Sequence, residues 1–195
     1  MLQKLWIALA VFVGLVAIGA IIVATQPSHF KVERTARIAA PPKEVFAQVN
    51  DLHKWQAWSP WAKLDPAAKN IYTGPEAGTG AALTWSGNDV VGEGTMTITE
   101  SKSDEQVRIR LDFVRPYENT CTTTFAFKPE GDGTSVTWRM EGDKGFMGKA
   151  VCMFKDMDKM VGGEFDQGLT NLKNVVEKPG KTAAQVDPSM LPSAK

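Results

Sequence analysis

The sequence predicts an α+β domain, a curved antiparallel sheet wrapping a long C-terminal helix, preceded by one transmembrane helix. Three observations carry that expectation. An uncharged apolar run occupies the N-terminus, period-two segments separated by turn residues fill the middle, and an apolar stripe at helical spacing closes the chain.

From Leu5 to Ala24 the chain reads LWIALAVFVGLVAIGAIIVA, twenty residues without a charge. At about 1.5 Å rise per residue, a helix of that length matches a hydrocarbon core of about 30 Å. The competing reading is a cleaved signal peptide, with Lys4 in the n-region and the cut after Ala24. Signal h-regions run only about 7–15 residues, so an anchor is the expectation. Trp6 suits an interfacial aromatic, and Ala10 with Gly14 forms a small-xxx-small pair that could pack another helix. Lys4 before the span, against TQPSHF after it, favours a cytoplasmic N-terminus and a domain outside the cytoplasm. Lys31, Arg34 and Arg37, slightly further on, pull the other way.

The remaining chain, about 150 residues, is long enough to bury roughly 70% of its unfolded surface. With 22 Lys and Arg against 22 Asp and Glu, no basic stripe points to nucleic acid and no acidic tail to a basic partner. Two cysteines, Cys121 and Cys152, make neither a disulfide framework nor a zinc site. No cofactor or metal is expected, and protein partners stay unnamed.

FKVERTARI alternates with Phe30, Val32, Ala36 and Ile38 on one face, a half-buried strand. Pro41-Pro42 ends it and opens a helix whose stripe is Val45, Phe46, Val49 and Leu52. Trp55, Trp58 and Trp61 follow at equal spacing. From about Lys69 strands alternate with turns: GAALTWSG, VGEGTMTITES, QVRIRLDF, NTCTTTFAF and TSVTWRM, an antiparallel meander with one wet face. Met153, Met157, Met160, Val161, Phe165, Leu169, Leu172 and Val176 then step by three and four along a closing helix. Gly162-Gly163 inside it predicts a kink, a break or a close approach to another element. The expected organisation is an anchor over 1–25, a linker over 26–29, a domain over 30–177 and a mobile tail over 178–195.

Three stretches, IAAPPKEVFAQVNDLHKWQAWSPW, GTGAALTWSGN with VGEGTMTI, and MVGGEFDQGLTNLKNVVE, together resemble the START-like superfamily, also called SRPBCC, the polyketide cyclase/dehydrase and lipid-transport family. The resemblance spans Phe30 to about Glu177. It implies a helix-grip fold with an apolar cavity between sheet and C-terminal helix, and no family-wide catalytic motif.

Inside that frame the candidate ligand-binding residues are those predicted to face inward. The strands contribute Trp85, then Met96 and Ile98, then Ile109, Leu111 and Phe113, then Phe125, then Trp138 and Met140. The helix contributes Met157, Met160 and Phe165, and the Trp segment contributes Trp58. Each reads equally as plain core, since Trp buries about 150–250 Å² and Met fills gaps. Arg34 shares parity with the apolar face of its strand. It reads as an anchor for a carboxylate or phosphate head group, as a side chain snorkelling from the sheet edge, or as the partner of a nearby acid. His29, His53, Cys121 and Cys152 form no catalytic spacing, and no G-x-S-x-G, P-loop or H-E-x-x-H occurs. The expected function is a membrane-anchored binding module for a hydrophobic small molecule or lipid. A protein-interaction or envelope-assembly module with a filled core, and a cyclase, dehydratase or hydrolase, remain the alternatives.

Overall fold

Alternation sets the strands, and the register shows which face each side chain takes. The structure, a computed structural model, describes residues 2–153 and 156–178, without the side chains of Leu2, Leu5, Ala8, Met147, Met157 and Met160. Seven strands form one antiparallel sheet in the order β1-β7-β6-β5-β4-β3-β2. They are β1 (His29–Ile38), β2 (Lys69–Thr73), β3 (Ala82–Ser86), β4 (Glu93–Lys102), β5 (Gln106–Arg115), β6 (Asn119–Glu130) and β7 (Gly133–Asp143). The first strand pairs with the last, Val32 opposite Met140 and Arg34 opposite Trp138. Register shifts in β4 at Glu93/Gly94 and Ile98/Glu100 bend the sheet.

The helices lie on the apolar face. α2 (Pro42–Val49) buries Val45, Phe46 and Val49, and Pro42 stands in its first turn, where a missing N–H costs no hydrogen bond. A 3-10 turn at Leu52–Lys54 leads to two single-turn helices, α3 (Trp55–Trp58) and α4 (Trp61–Leu64). α5 (Phe146–Cys152) precedes α6 (Met157–Glu177), which docks on β1. The expected closing helix is thus two helices: Met153 caps α5 and is exposed rather than on the α6 stripe. α6 is unbroken through Gly162-Gly163, so no break occurs there. Phe165, Leu169, Leu172 and Val176 are buried as their spacing predicted.

α1 (Leu2–Thr25) is a 24-residue helix that packs against α5, and the Ala24 carbonyl in its last turn accepts a hydrogen bond from Lys149 Nζ at 3.1 Å. Its large apolar side chains, including Trp6, Phe12, Leu15 and Ile21, are exposed. Among the described residues no helix is long and apolar enough to cross a membrane. The expected transmembrane span, Leu5 to Ala24, therefore draws no support from the structure. The expected tail beyond Lys178 lies outside the described residues.

Candidate functional site

The spacing of the three tryptophans has a packing cause. Trp55 and Trp58, one helical turn apart on α3, project together onto the sheet, with ring centroids 4.6 Å apart. Each indole N–H finds a backbone acceptor in α2, Trp55 Nε1 donating to Val49 O and Trp58 Nε1 to Gln48 O. Trp138 answers from β7: it stacks on Phe165 of α6 at 4.1 Å, meets Trp58 edge-on at 5.7 Å and donates its Nε1–H to Thr123 Oγ1. Trp61 closes the group edge-on to both Trp138 and Phe165. Such aromatic pairs contribute about 0.5–1.5 kcal/mol each beyond area burial.

This cluster fills the middle of the grip. Trp58, Trp138, Phe125, Phe165, Ile98 and Ile109 are at most 1% exposed, so no water-sized space touches them. These six pack together between sheet and helix, where the indoles of β7 and α3 meet. Trp85, Leu111 and Met140 keep a trace of exposure, while Met96 and Phe113 are only partly buried. Strand pairing places Trp85 opposite Gly94, Gly94 opposite Phe113 and Met96 opposite Leu111, one contiguous patch of the inner face. A Cβ on Gly94 would lie 2.6 Å from the Trp85 ring, so glycine there lets the indole lie flat on β4. Trp61 and Val161 are also partly buried against the core. The side chains of Met157 and Met160 lie outside the described residues.

Arg34 does point inward from β1, and α6 supplies its partners. Asp158 grips the guanidinium with both carboxylate oxygens, at 2.9 and 2.8 Å, and Asp166 accepts from Nε at 3.2 Å. Two carboxylates of α6 thus take up the guanidinium fork that an anionic head group would otherwise engage. A Cβ on Gly162 would collide with this guanidinium, while one on Gly163 would meet nothing within 4 Å. The first glycine is therefore the close approach, and only the second is spare. Gly163→Ala is expected to stabilise the domain by about 1 kcal/mol through helix propensity, read as a higher denaturation midpoint, whereas Gly162→Ala should lower it.

Hydrogen bonding from Arg34 holds the Asp158 carboxyl below its ordinary value of 3.8 and raises the pKa of Arg34 itself. A lowered carboxylate pKa means the folded state binds fewer protons. Its contribution is complete above 3.8 and disappears as pH falls through the lower folded value. Asp158→Asn is accordingly expected to give a shallower loss of unfolding free energy below pH 3.8 than the parent chain, measured by denaturant titration across that range. Equal slopes would remove the ion pair from the account.

Nucleophilic chemistry finds little purchase. Burial, then the nearby Asp112 carboxylate, pushes the Cys121 thiol up to about 12, so it stays protonated. Cys152 is also a free thiol, half-buried in α5. His53 accepts or donates at Nδ1 with Asp51 at 3.1 Å and stacks on Tyr72 at 4.0 Å. These two rings border a surface cavity of about 130 Å³ with Leu52, Thr73, Gly74 and Ala81. That is well short of the roughly 300–1,000 Å³ of drug-sized sites. No sequence signal announced it, because it forms where the β2–β3 turn meets the 3-10 turn. Among the described residues no cluster of three His, Cys, Asp or Glu could hold a metal.

Comparison with known proteins follows the same lines. Residues 29–177 match the family described as polyketide cyclase / dehydrase and lipid transport. A protein of Chromobacterium violaceum superposes with a TM-score of 0.56 at 16% identity, covering 75% of this chain and 96% of its own. A protein of Rhizobium leguminosarum gives 0.57 at 14%, covering 78% and 97%. The Aha1 dimer of Colwellia psychrerythraea gives 0.56 at 13%, covering 77% and 98%. At these identities the likeness is one of fold. No curated protein matches the sequence.

Proposed function

Because the chain belongs to the polyketide cyclase / dehydrase and lipid transport family, we propose that it binds a hydrophobic small molecule or lipid, held at the bilayer by its N-terminal helix. The observation that carries this reading is the gradient of burial along the inner sheet face. Side chains near the middle are sealed by indoles, whereas Met96 and Phe113 stay partly exposed toward the end where β1 begins. A flexible thioether beside an aromatic edge suits an adaptable apolar guest, which gains about 25 cal/mol for each Å² of apolar surface removed from water.

Anchoring rests on Leu5 to Ala24, twenty residues without a charge. A helix apolar all round is at home in lipid or in a protein core. The exposed Trp6, Phe12, Leu15 and Ile21 have no core around them. The flanking charges favour a domain outside the cytoplasm.

Native mass spectrometry of the detergent-purified chain, with extraction of whatever co-purifies, tests the reading. The expected result is an apolar adduct on the parent protein that is lost in Met96→Asp, a change at a partly exposed position. Bare protein in repeated preparations would favour instead a protein-interaction or envelope-assembly module, a reading the filled middle of the grip supports.

A further inference from the structure

Antiparallel order brings five chain segments to one end of the sheet. They are the α1–β1 linker at 26–28, the α4–β2 connection at 65–68, the β3–β4 loop at 87–92, the β5–β6 turn at 116–118 and the start of α5. Outside α1, the exposed large hydrophobics among the described residues are Leu64, Ile71, Val90, Val114, Tyr117, Phe146 and Met153. Leu64, Val90, Val114, Tyr117 and Phe146 lie in these segments or within two residues of them, whereas Ile71 is midway along edge strand β2 and Met153 caps the far end of α5. The opposite end, with the β4–β5 and β6–β7 turns, carries Asp104, Glu105 and Asp132 and no exposed large hydrophobic among the described residues. Single apolar residues scattered on a surface need no explanation, but their segregation to one end does.

We propose that this end is a bilayer-docking face, with Val90, Val114, Tyr117 and Phe146 seated in the lipid interface. The proposal rests on the anchoring part of the functional reading above. Chain length supplies the argument. Only Gln26, Pro27 and Ser28 separate α1 from β1, and three extended residues span about 10 Å at most. The polar layer of a leaflet is about 5–8 Å thick, so even a fully extended linker holds the loops at this end within a few Å of it. Lys149, bonded to the last turn of α1, ties α5 to the same level. Tyr117 is of the aromatic type that favours headgroup depth.

Charge says what kind of surface is fitted. Arg115 at the end of β5 is neutralised by Glu93 at 2.9 Å and Asp89 at 3.7 Å. Exposed Asp89 and Glu118, beside Val90 and Tyr117, offset the exposed Lys63 and Lys69 at the same end, so the face is balanced in charge rather than basic, and docking should proceed on uncharged lipid and withstand salt. Docked this way, the partly exposed Met96 and Phe113 open toward the bilayer, the reservoir of an apolar guest.

The test uses the full chain in phosphatidylcholine nanodiscs, with Cys152→Ser as background and nitroxides placed singly at Val90→Cys, Tyr117→Cys and Asp132→Cys. All three positions are exposed, and circular dichroism checks that each labelled chain is folded. The expected result is several-fold greater collision with oxygen than with an aqueous nickel chelate at 90 and 117, reversed at 132, and unchanged at high salt. Labels at 90 and 117 as aqueous as the one at 132, in protein that stays with the discs, would overturn docking and leave the anchor standing. A folded chain that never associates with the discs would remove the anchor, and docking with it.

Discussion

Trp138→Ala is expected to cost about 3–5 kcal/mol, the range for truncating a large buried aromatic, and so a large share of the roughly 5–15 kcal/mol that holds a domain together. The side chain is 1% exposed and touches four elements at once: Phe165 of α6 by stacking, Trp55 and Trp58 of α3 and Trp61 of α4 edge-on, and Phe125 of β6. Its loss leaves a void between sheet and helix and strands the Thr123 hydroxyl, which keeps only its bond to Arg139 O. Denaturant unfolding followed by far-ultraviolet circular dichroism is the measurement. A cost below about 1 kcal/mol, the scale of a well-tolerated swap, would mean that α6 is not held by the indole cluster.

Gly168→Ala is the second large effect, and its sign is the informative part. In an exposed helix interior this exchange stabilises by about 1 kcal/mol. At Gly168 a Cβ would lie 2.6 Å from the six-membered ring of Trp138 and 3.2 Å from Cδ of Pro60. Neither neighbour can yield easily: the indole is stacked on Phe165, edged by Trp55, Trp58 and Trp61, and hydrogen-bonded, and proline is a closed ring. Overpacking of this kind costs about 1–3 kcal/mol, enough to outweigh the propensity gain. The midpoint of Gly168→Ala should therefore fall while that of Gly163→Ala rises, in the same helix, five residues apart. If both variants gained stability, α6 would have to stand further from β7 than the structure has it.

The two exchanges show which features were legible in the chain. Alternation in QVRIRLDF placed Val107, Ile109 and Leu111 inside, and all are buried. The stripe Phe165, Leu169, Leu172 and Val176 placed the inner face of α6 equally well. These are local periodicities, two residues for a strand and 3.6 for a helix, and they follow from backbone geometry alone. The role of each glycine in α6 was not legible. Gly162 and Gly163 are neighbours of identical chemistry, yet one lies under the Arg34 guanidinium and the other faces open space.

Arg34 marks the same boundary. Parity alone turned it inward, and either a ligand or an acid of the chain could have met it there. Asp158 and Asp166 lie more than 120 positions away, and only docking of α6 on β1 brings them within 3.2 Å. Whether the grip is hollow was likewise beyond any pattern, since inward-facing aromatics can line a space or fill it. Here indoles from α3 and β7 meet in the middle and fill it, leaving partial exposure to Met96 and Phe113. The chain by itself determined which residues face inward, because that depends on neighbours along the backbone. Only the tertiary structure decided which of them touch, because contact depends on the packing distance between elements that no local spacing encodes.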